Sequence, residues 1–294
     1  MTRAASHPIT RARLRRWPLP RLDPARGKVT RGSLCVVGGS DANPGAILLA
    51  GLAALRAGAG TLSLATSDRH VGALAVAMPE ARVLGLPRAR SGELAARAAH
   101  HIADAALATD AIVVGPGMMD GRAGLALLRR CARAERTIPC VIDAAPLAAL
   151  PPRLSPGRAA WILTPHPGEM AALCDTTPDR VLARPLELAR DMARRYRAVV
   201  VLKGAVTYVA APDGTAYHST EGNLGLGTAG SGDVLAGVIG GLCARGATPL
   251  QAAVWAVHLH ACAGDQLARR IGPLGFLASE LLAEIPGLLA RAAR

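Results

Sequence analysis

The segment Asn223-Leu-Gly-Leu-Gly-Thr-Ala-Gly-Ser-Gly-Asp233 runs directly into the apolar stretch Val234-Leu-Ala-Gly-Val-Ile239. Glycines at 225, 227, 230 and 232 allow tight turns and close approach to a ligand, because no Cβ obstructs positive φ. The apolar residues behind them read as the start of a buried helix. A glycine loop opening a helix presents free N–H groups and the positive end of the helix dipole, which suits a phosphate. Asp233 stands awkwardly there, since its carboxylate repels phosphate. Two readings are open: an N-terminal helix cap, or a base held where a hydroxyl meets a phosphoryl group. Gly225-Leu-Gly-Thr-Ala-Gly230 matches the dinucleotide pattern GxGxxG by letter. No strand leads into it and no acid follows about 20 residues on, so the context argues against a Rossmann site. Ser231 lacks a GxSxG elbow, and GxxxxGK[ST] is absent from the chain.

Outward from this loop, short β-branched runs alternate with longer Ala/Leu/Arg stretches. Strands are expected at 33–37, 61–66, 111–115, 139–143, 160–164, 198–203, 206–210 and 215–218, and helices at 45–57, 94–107, 123–134 and 178–197. The chain then ends in helices at 233–245, 249–271 and 276–293. Alternation of this kind indicates an α/β fold with a mostly parallel sheet covered on both faces. The short turns at Gly204 and Pro212-Asp213-Gly214 make the 198–218 region an antiparallel meander. A single domain is expected from residue 28, preceded by a basic, flexible head over residues 1–27.

Ligands of open α/β sheets bind beyond the carboxyl ends of the strands. Gly38-Gly39-Ser40, Gly115-Pro116-Gly117, Asp143, Thr164-Pro-His-Pro-Gly-Glu169 and Lys203-Gly204 all fall at such ends, and together they form a coherent rim. Lys203 stands out because the 34 Lys and Arg residues include only one other lysine, Lys28. A lysine at a strand end supplies a point charge for phosphate. His166 is held between two prolines and reads as a ligand contact. Glu169 falls in the first turn of the next helix, where an acid complements the dipole. His258 and His260, two apart on a helix, cannot share a face and read as packing or surface groups.

The chain has 294 residues, 51% of them hydrophobic, enough for a large core. Its net charge of +13 invites a nucleic-acid reading, but the excess gathers in residues 1–32, where Asp23 is the one acid. An aromatic content of 2% argues against base-stacking platforms, so no nucleic-acid partner is expected. The milder inference is an anionic small molecule. Six cysteines without CxxC or metal-ligand spacing suggest a reduced, cytoplasmic protein with no metal centre. No stretch suggests a membrane span. The head lacks an apolar signal region, and prolines at 8, 18, 20 and 24 oppose an amphipathic transit helix.

Taken together, these segments resemble the ribokinase-like superfamily and, more closely, the ADP/ATP-dependent NAD(P)H-hydrate dehydratases. The resemblance rests on Val36-Val-Gly-Gly-Ser40 with Pro44-Gly-Ala46, Ala54-Leu-Arg-Ala-Gly-Ala-Gly60 and Val114-Gly-Pro-Gly117. It continues in Thr164-Pro-His-Pro-Gly-Glu-Met170, Leu202-Lys-Gly204 with Thr207, and Gly230-Ser-Gly-Asp-Val-Leu-Ala-Gly237. It implies a three-layer α/β/α sandwich with an antiparallel edge meander. The implied substrates are NADHX and NADPHX, hydrates of the reduced nicotinamide ring, with ADP or ATP as co-substrate and Mg²⁺ accompanying it. On this resemblance Asp233 is the catalytic base, and the amides of Gly230, Ser231 and Gly232 form the anion hole. Lys203, Gly204, Ala205, Val206 and Thr207 line the nucleotide side together with the 230–232 loop. Ala46, Gly117, His166 and Asp233 line the hydrate side. The composition leans towards ADP. A homo-oligomer and a separate epimerase as pathway partner are further implications. Met118-Met119 departs from the family's usual Leu-Gly after Gly115-Pro-Gly117. Two rivals remain at this level: a small-molecule kinase of the same fold, and a non-catalytic nucleotide-binding regulator.

Overall fold

The computed structural model describes residues 5–152, 154 and 157–293. Ten strands form one sheet: β1 (His7–Pro8), β2 (Ser33–Val37), β3 (Thr61–Ser67), β4 (Ala81–Leu86), β5 (Ala111–Val114), β6 (Pro139–Ile142), β7 (Ala160–Leu163), β8 (Val199–Leu202), β9 (Thr207–Ala210) and β10 (Ala216–Ser219). Their order is β1-β10-β9-β8-β7-β6-β5-β2-β3-β4. The run from β4 to β8 is parallel, and β9 is antiparallel to both its neighbours. Strand order reverses between β2 and β5, which makes their carboxyl ends the switch point where such sheets bind ligands.

Side chains alternate across the sheet with period two. Leu34, Val36, Val113, Val141 and Val201 face one apolar layer, whereas Cys35, Val37, Ile112, Val114, Cys140 and Val200 face the other. The first layer is built on α2 (Ala46–Arg56), α10 (Ser231–Ala244), α11 (Pro249–Arg270) and α12 (Ala278–Ala293). The second is built on α4 (Ala98–Leu107), α5 (Arg122–Cys131), α7 (Pro167–Cys174), α8 (Pro178–Ala183) and α9 (Pro185–Tyr196). The result is the expected three-layer α/β/α sandwich.

The central helix α10 is buried on nearly every side. A Cβ at Gly237 would lie 2.1 Å from the Ala50 carbonyl oxygen, and one at Gly241 would lie 2.5 Å from that of Ala54. On the sheet side, a Cβ at Gly240 would meet Val113 at 2.4 Å. Three glycines thus let α10 wedge between α2 and β5.

Several boundaries differ from expectation for local reasons. The helix expected over 178–197 is two helices, because Pro185 cannot continue α8 and starts α9 as its first residue. β4 and the preceding helix α3 (Val71–Ala77) carry no clear period in sequence. β4 is an edge strand with Arg82 and Gly85 inside it, largely half-buried or exposed. A one-turn helix, α6 (Ala145–Ala148), follows β6.

The part of the head that the structure describes, from residue 5, is docked, and residues 1–4 lie outside the described residues. β1 pairs in parallel with β10, and α1 (Arg11–Arg16) forms between Pro8 and Pro18 with Thr10 as its cap. Leu14 is fully buried. Trp255 Nε1 and Gln251 Nε2 on α11 donate to the Trp17 carbonyl at 3.0 and 3.2 Å. The prolines exclude a long helix but frame a short one, and tertiary contacts hold it. Among the described residues no helix is long and apolar enough to cross a membrane.

The close seat of α10 gives a direct test. Gly237→Ala adds about 1 kcal/mol of helix propensity but drives a methyl into the α2 backbone. Denaturant unfolding should show a net loss of roughly 1–3 kcal/mol. A variant as stable as the wild type would mean that α2 and α10 can separate freely.

Candidate active site

Gly230 caps α10 in the left-handed region, at φ +88°. A Cβ there would fall 2.6 Å from Leu49, so both conformation and space require glycine. Of the four loop glycines, Gly230 alone has positive φ. Gly225 serves packing instead, since a Cβ on it would lie 2.4 Å from the Phe276 ring. The first helical bond runs from the Val234 N–H to the Gly230 carbonyl at 3.1 Å. The amides of Gly232 and Asp233 precede it and have no partner within the helix. The Ser231 amide differs from the other two in pointing back to the Thr228 carbonyl at 3.3 Å.

Opposite this helix end lies a charged cluster. Lys203, just past β8, donates from Nζ to Asp143 Oδ1 at 3.0 Å and lies 3.9 Å from Glu169 Oε2. Its own amide is tied to the Pro165 carbonyl at 2.9 Å, which fixes the strand end. Asp143, buried past the end of β6, also accepts from Thr164 Oγ1 at 2.7 Å. A Cβ on Gly232 would stand 3.3 Å from Lys203 Nζ, so glycine leaves room for the ammonium. Burial alone would lower the Lys203 pKa, but the charges of Asp143 and Glu169 and the bond to Asp143 hold it above its usual value. Asp233 is half-buried on the same turn. Burial first, then the Asp143 charge, push its carboxyl up to about 7; Glu169 adds to this and Lys203 opposes it. A carboxylate poised near neutrality is suited to general base work.

The Thr164–Glu169 segment forms a capping box at the start of α7. His166 Nδ1 accepts from the amides of Gly168 and Glu169 at 3.0 and 3.3 Å, and Glu169 Oε2 accepts from the His166 amide at 2.8 Å. An Nδ1 that accepts leaves the proton of the neutral ring on Nε2. That edge is accessible, as the side chain is 57% exposed.

A cavity of about 710 Å³ opens beside this cluster. Lys203, Gly204, Ala205, Thr207, Ser231 and Gly232 line it, and His166 joins them. Val206 is not on its lining. Ala46 and Gly117 form a second group at the β2/β5 switch point. A Cβ on Gly117, at φ +73°, would lie 2.5 Å from the Asn43 carbonyl and 2.9 Å from Ala46 Cβ. The structure therefore groups His166 with the Lys203 side, not with Ala46 and Gly117. Past Gly117, Met118 turns into the core while Met119 is 68% exposed. Glu93 accepts from the Met119 and Asp120 amides at 3.1 and 3.2 Å and holds this lip in place.

His260 is a site residue that the sequence did not single out for function. Its Nε2 lies 3.0 Å from both the carbonyl oxygen and Oγ of Ser231. A carbonyl only accepts, so Nε2 carries the proton and pins the turn at the start of α10. Burial lowers the His260 pKa to about 4, with the Ser231 carbonyl opposing and the Lys203 charge adding, so the ring stays neutral. His258, on another face of α11, meets Glu221. The two histidines do diverge, as the spacing requires, yet each has a specific partner.

The model of the NAD(P)H-hydrate dehydratase family matches residues 34–287. An ADP-dependent (S)-NAD(P)H-hydrate dehydratase of Xanthomonas campestris pv. campestris is 48% identical over 296 aligned residues and is covered, like this chain, over its full length. A bifunctional NAD(P)H-hydrate repair enzyme of Moorella thermoacetica is 39% identical across 93% of this chain and 52% of its own. The crystal structure of the ADP/ATP-dependent NAD(P)H-hydrate dehydratase of Bacillus subtilis, co-crystallised with ATP/Mg²⁺, superposes with a TM-score of 0.83 at 32% identity. That match covers 98% of this chain and 99% of the other. With the fold, the glycine-capped helix and the Lys203 cluster all in place, this chain belongs to the NAD(P)H-hydrate dehydratase family.

Proposed function

We propose that this protein is an ADP-dependent NAD(P)H-hydrate dehydratase acting on NADHX and NADPHX. The observation that carries the reading is Asp233, a carboxyl poised near pH 7 on the turn whose amides suit a phosphoryl group. Asp233 takes the proton of the ring hydroxyl as its oxygen attacks the terminal phosphorus of ADP, and AMP leaves. The C–O bond then breaks as the adjacent ring carbon gives up a proton to water. Phosphate departs with the electron pair and the double bond returns. The amides of Gly232 and Asp233 face the charge that develops in transfer. Lys203 offers a cation to the phosphates across the cleft.

Mg²⁺ bound with the nucleotide would screen phosphate charge, and the donor chemistry fits it. Asp143 and Glu169 supply hard oxygen donors, and three carboxylates facing one lysine leave a negative surplus suited to a divalent cation. The choice of ADP is supported by the name of the Xanthomonas relative. Free cysteines at all six positions agree with a reducing, cytoplasmic setting.

Incubating the protein with NADHX and ADP or ATP should restore the near-ultraviolet absorbance of NADH. No recovery with either nucleotide sinks the dehydratase reading, and a phosphorylated hydrate released intact would make the protein a kinase. Asp233→Asn should lower turnover by about 10²–10⁴-fold with an unchanged circular dichroism spectrum. Unchanged turnover would remove Asp233 from the chemistry.

The raised Asp233 pKa bears on both activity and stability. A protonated carboxyl cannot accept the hydroxyl proton, so kcat/KM should rise with pH and level off above about 7. Asp143→Asn removes a charge that raises this pKa, so the acid limb should move to lower pH whatever its effect on the plateau. For stability the sign is reversed from the usual carboxylate. The folded state holds a proton between the unfolded value of 3.8 and about 7, so this group's contribution declines as pH rises through that window. Asp233→Asn should therefore unfold at a higher midpoint than wild type at pH 8, and a lower one would contradict the assignment.

A further inference from the structure

On the side of α11 away from Ser231, a second group of side chains converges. His258 and Cys262 are one helical turn apart on one face, and Glu221, just past β10, reaches both. Their ligating atoms all lie within 4.8 Å of one another. Cys262 Sγ is 3.6 Å from Glu221 Oε2 and 3.8 Å from His258 Nδ1. His258 Nδ1 is 2.6 Å from the same Glu221 oxygen. A cavity of about 410 Å³ opens onto all three, with Arg11, Asp265 and Gln266 on its walls.

We infer that Glu221, His258 and Cys262 form a binding site for a thiophilic divalent cation of the zinc class. The argument is geometric. With Zn–S near 2.3 Å and Zn–N or Zn–O near 2.1 Å, a tetrahedral site has S···N and S···O edges of about 3.6 Å and an N···O edge of about 3.4 Å. Of the two sulfur edges, that to oxygen is already 3.6 Å; the sulfur lies 3.8 Å from Nδ1 and 3.7 Å from Nε2, beside the ring, so the Cys262 and His258 side chains turn to aim Sγ and Nδ1 at one point. The third opens by less than 1 Å when the proton shared by His258 and Glu221 gives way to the metal. Binding forms metal–sulfur, metal–nitrogen and metal–oxygen bonds, releases the thiol proton to water and moves the proton between Nδ1 and Glu221 to Nε2, so that the ligating imidazole is neutral. A hard cation such as Mg²⁺ gains one carboxylate here beside a histidine, a thiol and the guanidinium of Arg11, so the donor set selects for softness. The residue spacing itself, His258-x-x-x-Cys262, was hidden in the sequence because the third donor comes from Glu221, 37 residues before His258.

The test uses the full chain stripped of metal and titrated with Co²⁺ and with Zn²⁺. One equivalent of Co²⁺ should produce a near-ultraviolet thiolate-to-cobalt band together with tetrahedral visible bands. Zn²⁺ should bind with 1:1 stoichiometry in calorimetry and abolish both. Cys262→Ser should lose the near-ultraviolet band and bind Zn²⁺ more than about a hundredfold more weakly, since a direct ligand exceeds the 10–100-fold of an outer-shell partner. Circular dichroism checks that this variant folds, and His258→Gln gives a second, independent loss of affinity if it does not. Absence of the thiolate band in wild type, or its persistence in Cys262→Ser, overturns the site. Equal Zn²⁺ affinity in wild type and a folded variant overturns it as well.

Discussion

The arrangement of this protein depends on how closely α10 sits between α2 and β5. Gly237, Gly240 and Gly241 bring the helix into backbone contact with α2 and into van der Waals contact with Val113. That seat is an exception to the usual helix preference for larger residues, and it sacrifices propensity for position. Its effect is felt at the other end of the helix. The turn Gly230–Asp233 is thereby held against Lys203 and Asp143 at the carboxyl ends of β8 and β6. A helix displaced outward by a methyl group would carry the Gly232 and Asp233 amides away from Lys203.

Holding Asp233 there creates a second constraint, a crowd of carboxylates. Asp143 and Glu169 act on Asp233 with the same sign as burial, and only Lys203 works against them. The same two carboxylates keep Lys203 charged despite its burial. One cluster therefore does two things: it keeps Lys203 charged and destabilises the negative form of Asp233. Both effects draw on Asp143 at a strand end and on Glu169 in the first turn of α7. Active sites commonly carry this sort of unfavourable charge, because the groups are arranged for the reacting state and not for the resting one.

How much of this was legible in the sequence follows from where each signal is local. Strand ends carry Gly, Pro, His, Asp and Lys within a few residues of β-branched runs, so the rim of the site and the α/β class could be read directly. Most strand and helix bounds agree within a few residues for the same reason. The split at Pro185 was a local signal; the other misses are tertiary. β4 is an edge strand whose Arg82 and Gly85 hide any alternation. The head is short and rich in proline, and tertiary contacts order it: pairing with β10, burial of Leu14 and the bonds from Gln251 and Trp255 on α11. His166 looked like a pure ligand contact because its capping role depends on the direction of the helix that follows. Asp143 could be seen as a strand end, but its central place came only with the fold, since Thr164 and Lys203 reach it from two other strands.

Helix α11 shows why distant residues matter to the cleft. Asp265 accepts from the Gly222 amide at 3.1 Å and from Asn223 Nδ2 at 3.0 Å. Asn223 Oδ1 in turn accepts from the Gly225 amide at 2.9 Å and shapes the turn that forms the cavity wall. His258 holds Glu221 at one end of this loop, and His260 holds Ser231 at the other. Three residues of one helix, at positions 258, 260 and 265, thus anchor both ends of the segment 221–231. Between those anchors the wall is a short 3-10 turn, Leu224–Gly227, seated against Phe276 through Gly225 and against α11 through Leu226. Any ligand that moves Glu221 relative to α11 acts on the same segment that carries the anion-binding turn. Coupling between the two cavities then needs no long-range relay, only the rigidity of one helix and the short loop it clamps.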